Sequence, residues 1–150
     1  MGFLEDIQGQ IVALDTAPLI YFIEQHPVFH PVVRPLFQAL AAGQFTAVTS
    51  TLTLMETLVQ PLRTNQNDLA NRYHDILLHA ENLTSYDLSP LIATEAARIR
   101  AEFYFRTPDA IQLATAVHAR AAYFVTNDHA LKRFTGLQTI TLKELIANSQ

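Results

Sequence analysis

TPDAIQLATAVHARAAYFVTND, residues 107–128, carries one complete helix-to-strand unit and ends on an acid. Thr107-Pro108 sets a hydroxyl N-cap before a proline at the first helical position, where a missing N–H costs nothing. Ala110, Ala114, Val117 and Ala121 then form a narrow stripe of small side chains suited to close packing on a sheet. The helix gives way to YFVT at 123–126, a short β-rich run, and Asp128 follows with one residue between.

The same alternation extends in both directions. Short apolar runs rich in β-formers occur at Ile11–Leu14, Phe45–Thr49, Leu83–Leu88, Tyr123–Thr126 and Leu137–Ile140, with helical periodicity between them. Strands separated by helices need crossover connections, so the spacing predicts an α/β fold. Its mainly parallel central sheet has about five strands and carries helices on both faces. Ser89-Pro90 opens one helix as Thr107-Pro108 opens another. Gly43 is placed to end a helix beginning near Val32, and Gly136 to end the one after Asp128. The polar stretch RTNQND between Leu62 and Asp68 reads as a short loop.

The chain of 150 residues is 49% hydrophobic, enough for one sizeable core and too little for two, so residues 1–150 are expected to form a single domain. With 16% charged residues and four glycines it is not a low-complexity chain. It has no cysteine, which excludes disulfides, thiolate metal sites and a cysteine nucleophile. The opening MGFLEDIQGQ has two acids and no basic segment, and no apolar run approaches the roughly 20 residues of a spanning helix. A cytoplasmic location and no membrane association are expected.

Asp15 follows the strand IVAL, Asp128 follows YFVT, and Asp109 lies in the first turn of the helix opened at Thr107. In open α/β sheets ligands bind beyond the carboxyl ends of the strands, so acids at these junctions can converge. Glu56 sits about one and a half helical turns past Ser50, close enough for a long carboxylate to reach the same rim. Each acid also has a plain structural account. Capping and the helix dipole explain Asp15, Asp109 and Asp128, and Glu56 could close a capping box with Thr53. Against that, Asp15 and Glu56 interrupt the apolar stretches VALDTAPLIYF and TLTLMETLV. Clustered carboxylates repel unless a cation compensates, and oxygen-only ligation suits Mg²⁺ or Mn²⁺. Such ions serve phosphodiester hydrolysis by activating water and stabilising the attacking and leaving oxygens.

Four segments carry a family resemblance: LDTAPLIYF around Asp15, TSTLTLMETLVQPLR around Glu56, TPDAIQLATA around Asp109 and FVTND around Asp128. Across nearly its whole length the chain resembles PIN-domain proteins, especially the toxin nucleases of the VapC type from type II toxin-antitoxin pairs. The resemblance implies a Rossmann-like sheet and Mg²⁺- or Mn²⁺-dependent endonucleolytic cleavage of RNA. It also implies Asp15 and Asp109 as main metal ligands, with Glu56 and Asp128 completing the pocket. Homodimerisation and capture by a small antitoxin protein are implied in the same way. Thr126 stands where it would orient a carboxylate or a water, although a β-rich strand end accounts for it equally well.

The net charge of −4 counts against non-specific nucleic-acid binding, but two divalent ions would cancel it at the site a phosphate occupies. Arg98, Arg100, Arg106, Lys132 and Arg133 are the candidate RNA-backbone contacts, with a solvated face as the alternative. His26 and His30 have metal-pair spacing, but Pro27 and Pro31 place them in a loop. His74 and His79, five apart, are expected on different faces. Tyr21, Phe22, Phe29 and Phe37 read as core packing or as a partner surface. Two other functions share the outline. One is a phosphoacceptor receiver, which would show adjacent acids after its first strand and a lysine after its last; here Asp15 stands alone and Lys143 lies in an expected helix. The other is an inactive PIN-like scaffold that binds a protein partner.

Overall fold

The computed structural model describes residues 2–149. Five strands, β1 (Ile11–Leu14), β2 (Thr46–Ser50), β3 (Leu83–Tyr86), β4 (Tyr123–Thr126) and β5 (Gln138–Thr141), form one sheet in the order β3-β2-β1-β4-β5. Every pairing is parallel. The helices are α1 (Phe3–Asp6), α2 (Thr16–Ile23), α3 (His30–Ala41), α4 (Thr51–Arg63), α5 (Asn67–His79), α6 (Pro90–Phe103), α7 (Thr107–His118) and α8 (Leu142–Ser149). A 3₁₀ segment, His129–Arg133, follows β4.

The pleat divides the apolar side chains between two cores. Val12 and Leu14 of β1 pack with Leu19, Ile23, Val33, Leu36, Phe37, Tyr73 and Leu77 from α2, α3 and α5. Ala13, between them, faces the opposite core with Val48, Phe124 and the α6 and α7 residues Ile92, Ala96, Ile99, Leu113 and Ala114. Helices therefore cover both faces, as the alternation predicts. The aromatic segment after Asp15 serves packing. Phe22 stacks on Phe37 with ring centroids 4.4 Å apart, and Tyr21 stacks on Phe29 at 5.0 Å.

Several boundaries differ from the sequence expectation. Phe45 is buried but lies before β2, and β3 ends at Tyr86, not Leu88. The loop in the polar stretch after Leu62 is present but shorter than expected, residues 64–66, since α4 runs through Arg63 and α5 begins at Asn67. Thr107 is the first residue of α7, not its cap; Arg106 occupies the cap position, and the Thr107 hydroxyl accepts a hydrogen bond from Arg100. Ser89 does cap α6, accepting from the Ile92 N–H at 3.2 Å. Gly43, with φ of +75°, follows α3 in the left-handed conformation that ends helices. Gly136 ends no helix. A Cβ there would lie 2.5 Å from the Phe134 ring, so glycine lets the chain pass that ring on its way into β5.

β1 is central, and the chain builds outward through β2 and β3 before crossing back to add β4 and β5 on its other side. The reversal falls between β1 and β4, and the crevice at such a switch point is where open α/β sheets bind ligands. Flavodoxin-like receivers have the order 2-1-3-4-5, so the observed order removes the phosphoacceptor reading.

Candidate active site

Asp15 and Asp128 both leave the carboxyl ends of the two strands that flank the switch point. The Asp15 N–H donates to Val125 O at 2.9 Å, which continues the β1–β4 ladder one residue past the strand and fixes the Asp15 side chain at the crevice. Its Oδ1 accepts from the Thr16 N–H at 2.8 Å, and its Oδ2 accepts from the Thr126 hydroxyl at 2.6 Å. Thr126 is fully buried, and its oxygen accepts in turn from the Asp128 N–H at 3.1 Å. One hydroxyl therefore sets the spacing of the Asp15 carboxylate and the Asp128 backbone. The capping account holds alongside this geometry: Asp15 caps α2, and Asp128 caps the 3₁₀ segment by accepting from the Ala130 N–H.

Glu56 is no capping-box partner. Ser50 caps α4, which leaves Glu56 at its sixth residue, and the Glu56 Oε1 accepts from the Thr16 hydroxyl at 2.8 Å. The Thr53 hydroxyl, where the box would have begun, lies 3.0 Å from both Thr16 Oγ1 and Thr49 Oγ1. Gln112 of α7 completes the floor: its Nε2 donates to Thr53 at 2.7 Å. It is only 3% exposed in the middle of an otherwise small-residue helix. Thr16 and Gln112 were not picked out from the sequence, and Thr53 only as a capping-box residue. The detectable signal was Gln112, a polar amide one turn beyond Asp109 in a helix patterned for burial.

Electrostatics tie the four acids together. Burial raises the Asp15 pKa above the usual carboxylate value, and the charges of Asp109 and Glu56 raise it further, against the lowering effect of the Thr126 and Thr16 hydrogen bonds. Asp109 is also raised, by burial first and by Asp128, while Arg106 beside it lowers it. Arg106 Nε stands 3.5 Å from Asp109 Oδ2. The acids line the crevice without closing on one point. Among the described residues, the three-residue group whose ligand atoms all lie within 4.8 Å of one another is a different one, His74, Asp75 and His79. That grouping corrects the expectation that His74 and His79 point apart.

Of the candidate basic contacts, Arg106 is the one beside the acids. Arg100 donates to Phe105 O and to Thr107, bracing the turn between α6 and α7. Arg133 donates to Phe103 O and lies over the Phe105 ring, with Cζ 4.5 Å from its centroid. Lys132 is held by Thr139 O and Glu144, and Arg98 pairs with Glu95 on the exposed side of α6. Arg100, Lys132 and Arg133 thus have structural work within the chain. His26 lies in the loop between α2 and α3, as Pro27 implies, but His30, expected in that loop as well, opens α3, because Pro31 falls in the first turn where a missing N–H costs nothing.

No helix among the described residues is long and apolar enough to cross a membrane. A comparison by sequence with curated proteins finds no match. Solved structures with similar folds include VapBC2 from Rickettsia felis bound to a DNA fragment from its promoter, with TM-score 0.70 and 21% identity over 87% of this chain and 98% of that one. A toxin-antitoxin complex from Klebsiella pneumoniae gives 0.63 and 24% over 87% and 97%. VapC20 from Mycobacterium tuberculosis, a toxin that cleaves the sarcin-ricin loop, gives 0.66 and 14% over 85% and 98%. The sequence model of the PIN domain matches residues 12–137, a span that contains all four acids and the whole crevice between β1 and β4, and the chain belongs to the PIN-domain family.

Proposed function

We propose that the chain is a metal-dependent endoribonuclease, the toxin of a toxin-antitoxin pair, which hydrolyses RNA phosphodiester bonds and leaves 5′-phosphates. The observation that carries this reading is the gathering of buried carboxylates at the switch point: burial raises the Asp15 pKa, with the charges of Asp109 and Glu56 adding to it, and burial raises that of Asp109, with Asp128 adding to it. A nearby cation reverses such shifts, because it favours the ionised form of every carboxylate facing it.

The residues fit Mg²⁺ or Mn²⁺. The donors are all oxygen, and each Asp15 oxygen accepts one hydrogen bond, which leaves further lone pairs free. Asp15 and Asp109 would be the main ligands, with Glu56 and Asp128 completing the set. The bound ion supplies water activation and charge stabilisation at the phosphate. Thr126 holds the Asp15 carboxylate, Thr16 holds Glu56, and Gln112 with Thr53 keeps α7 and α4 in place beneath them. Arg106 is placed to meet a phosphate oxygen at the rim.

The solved relatives support a protein partner, since two of them are toxin-antitoxin complexes. A small antitoxin is the expected inhibitor, and the cytoplasm the expected place of action. Met55, Val59 and Leu62 form an exposed apolar stripe along α4 that a second copy would cover in a homodimer.

The test is incubation of the purified protein with a pool of structured RNAs, with and without Mg²⁺ or Mn²⁺, beside Asp15→Asn. Metal-dependent cleavage by the wild type alone supports the reading. Equal cleavage by Asp15→Asn, or cleavage indifferent to chelation, removes it.

A further inference from the structure

α5 ends in an exposed group that has no part in the acidic crevice. His74, Asp75 and His79 each offer a ligand atom within 4.8 Å of the other two, and the imidazole ring centroids are 6.4 Å apart. Asp75 and His79 are four residues apart, so they share a helix face, and His74 reaches round from the neighbouring position. Among the described residues, no hydrogen bond or ion pair draws any of these three side chains elsewhere.

The position suits a cation. His79 is the last residue of α5, and the chain leaves at Ala80 in an extended conformation (φ −67°, ψ 138°), so no further turn covers the ligands. The carbonyl end of a helix carries partial negative charge and favours positive charge beside it. With metal–nitrogen bonds of about 2.0–2.1 Å, ligand atoms of a tetrahedral site lie roughly 3.3 Å apart. Exposed side chains at 4.8 Å or less reach that spacing by rotamer adjustment alone.

The donor set also selects the ion. Two imidazoles and one carboxylate favour the later divalent transition metals, and Mg²⁺ competes poorly for imidazole. We propose that His74, Asp75 and His79 form a second metal site, of the zinc class, with water as the fourth ligand. The bound ion ties the last two turns of α5 together just before the chain enters β3. This site is chemically distinct from the all-oxygen crevice and does not depend on the nuclease reading.

The test uses the full chain with Co²⁺ as a spectroscopic probe and Zn²⁺ in thermal melts. The variants are Asp109→Asn, to weaken the crevice, and, each made on top of Asp109→Asn, His79→Ala and His74→Gln, to remove one ligand each. The expected result is one equivalent of Co²⁺ with visible ligand-field bands, retained in Asp109→Asn and lost in both histidine variants. Zn²⁺ should raise the melting temperature of Asp109→Asn and leave those of His79→Ala and His74→Gln unmoved, since an ion that binds only the native state stabilises it by mass action. Because the substituted side chains are exposed, circular dichroism should show unaltered helix content. Absent bands, or bands and melting shifts that survive either histidine replacement, would overturn the proposal.

Discussion

Replacing Thr126 by valine removes the hydroxyl that links Asp15 to Asp128 while keeping the side chain's shape. Thr126 is fully buried, so the cost is set by the hydrogen bonds and not by a cavity. Its bond to Asp15 is short, at 2.6 Å, and ends on a carboxylate. Hydrogen bonds to charged groups contribute roughly 1.5–3 kcal/mol. The Asp128 N–H loses its partner as well, but Asp128 is exposed and water can replace it. For a chain of this length, about 2–4 °C per kcal/mol gives a fall in melting temperature of roughly 3–12 °C at neutral pH. The deficit should shrink on acidification, because a neutral carboxyl accepts a weaker bond of about 0.5–1.5 kcal/mol. The same hydroxyl lowers the Asp15 pKa, so its loss raises that pKa further and moves the acidic limb of the cleavage profile to higher pH. Thermal melts from neutral to acidic pH, with a matching rate profile, check both parts. A variant that melts within about 1 °C of wild type at neutral pH, or a deficit that grows with acid, would refute the argument.

Asp15→Asn should melt above the wild type at neutral pH without metal. The raised folded pKa means that the wild type loses stability as pH climbs from the unfolded value of 3.8 through the folded one, and asparagine escapes that loss. Melts across this range should show the gap closing at acid pH; a variant less stable than wild type at neutral pH would contradict it. Arg106→Ala should cost under about 1 kcal/mol of stability, since the arginine is largely exposed. It should still raise the Asp109 pKa, because Arg106 is what lowers it, and carbon-detected NMR of the carboxyls would read the shift. Gly136→Ala should cost about 1–3 kcal/mol in urea unfolding, as its Cβ would lie 2.5 Å from the Phe134 ring; an unchanged midpoint would mean that the ring moves freely.

The strands and the placing of the four acids near one edge of the sheet were legible because their signals are local. β-branched runs such as IVAL and YFVT mark the parallel sheet, and acids just beyond two of them mark its carboxyl edge. Of the hydroxyl network only Thr126 was legible, as a residue at a strand end able to orient a carboxylate or a water. Thr49 reads as an ordinary strand former, and Thr53 as half of a capping box, until the fold brings Gln112 and Thr16 against Thr53. The internal contacts of the basic residues were hidden for a related reason. Arg100, Lys132 and Arg133 find acceptors at Phe105, Thr139 and Phe103, backbone carbonyls whose availability only tertiary structure reveals. His74 and His79 both lie in α5, where a five-residue spacing turns them apart, yet the side chains reach round until their ring centroids are 6.4 Å apart.

Mn²⁺ binding followed by electron paramagnetic resonance, on the wild type, Asp15→Asn and Asp109→Asn, goes most directly to the crevice as a divalent-metal centre. The wild type should bind Mn²⁺ and each variant should bind it at least tenfold more weakly, which is about 1.4 kcal/mol per lost ligand. Mn²⁺ affinity that is the same in all three proteins would mean that these carboxylates serve the first turns of their helices and nothing more.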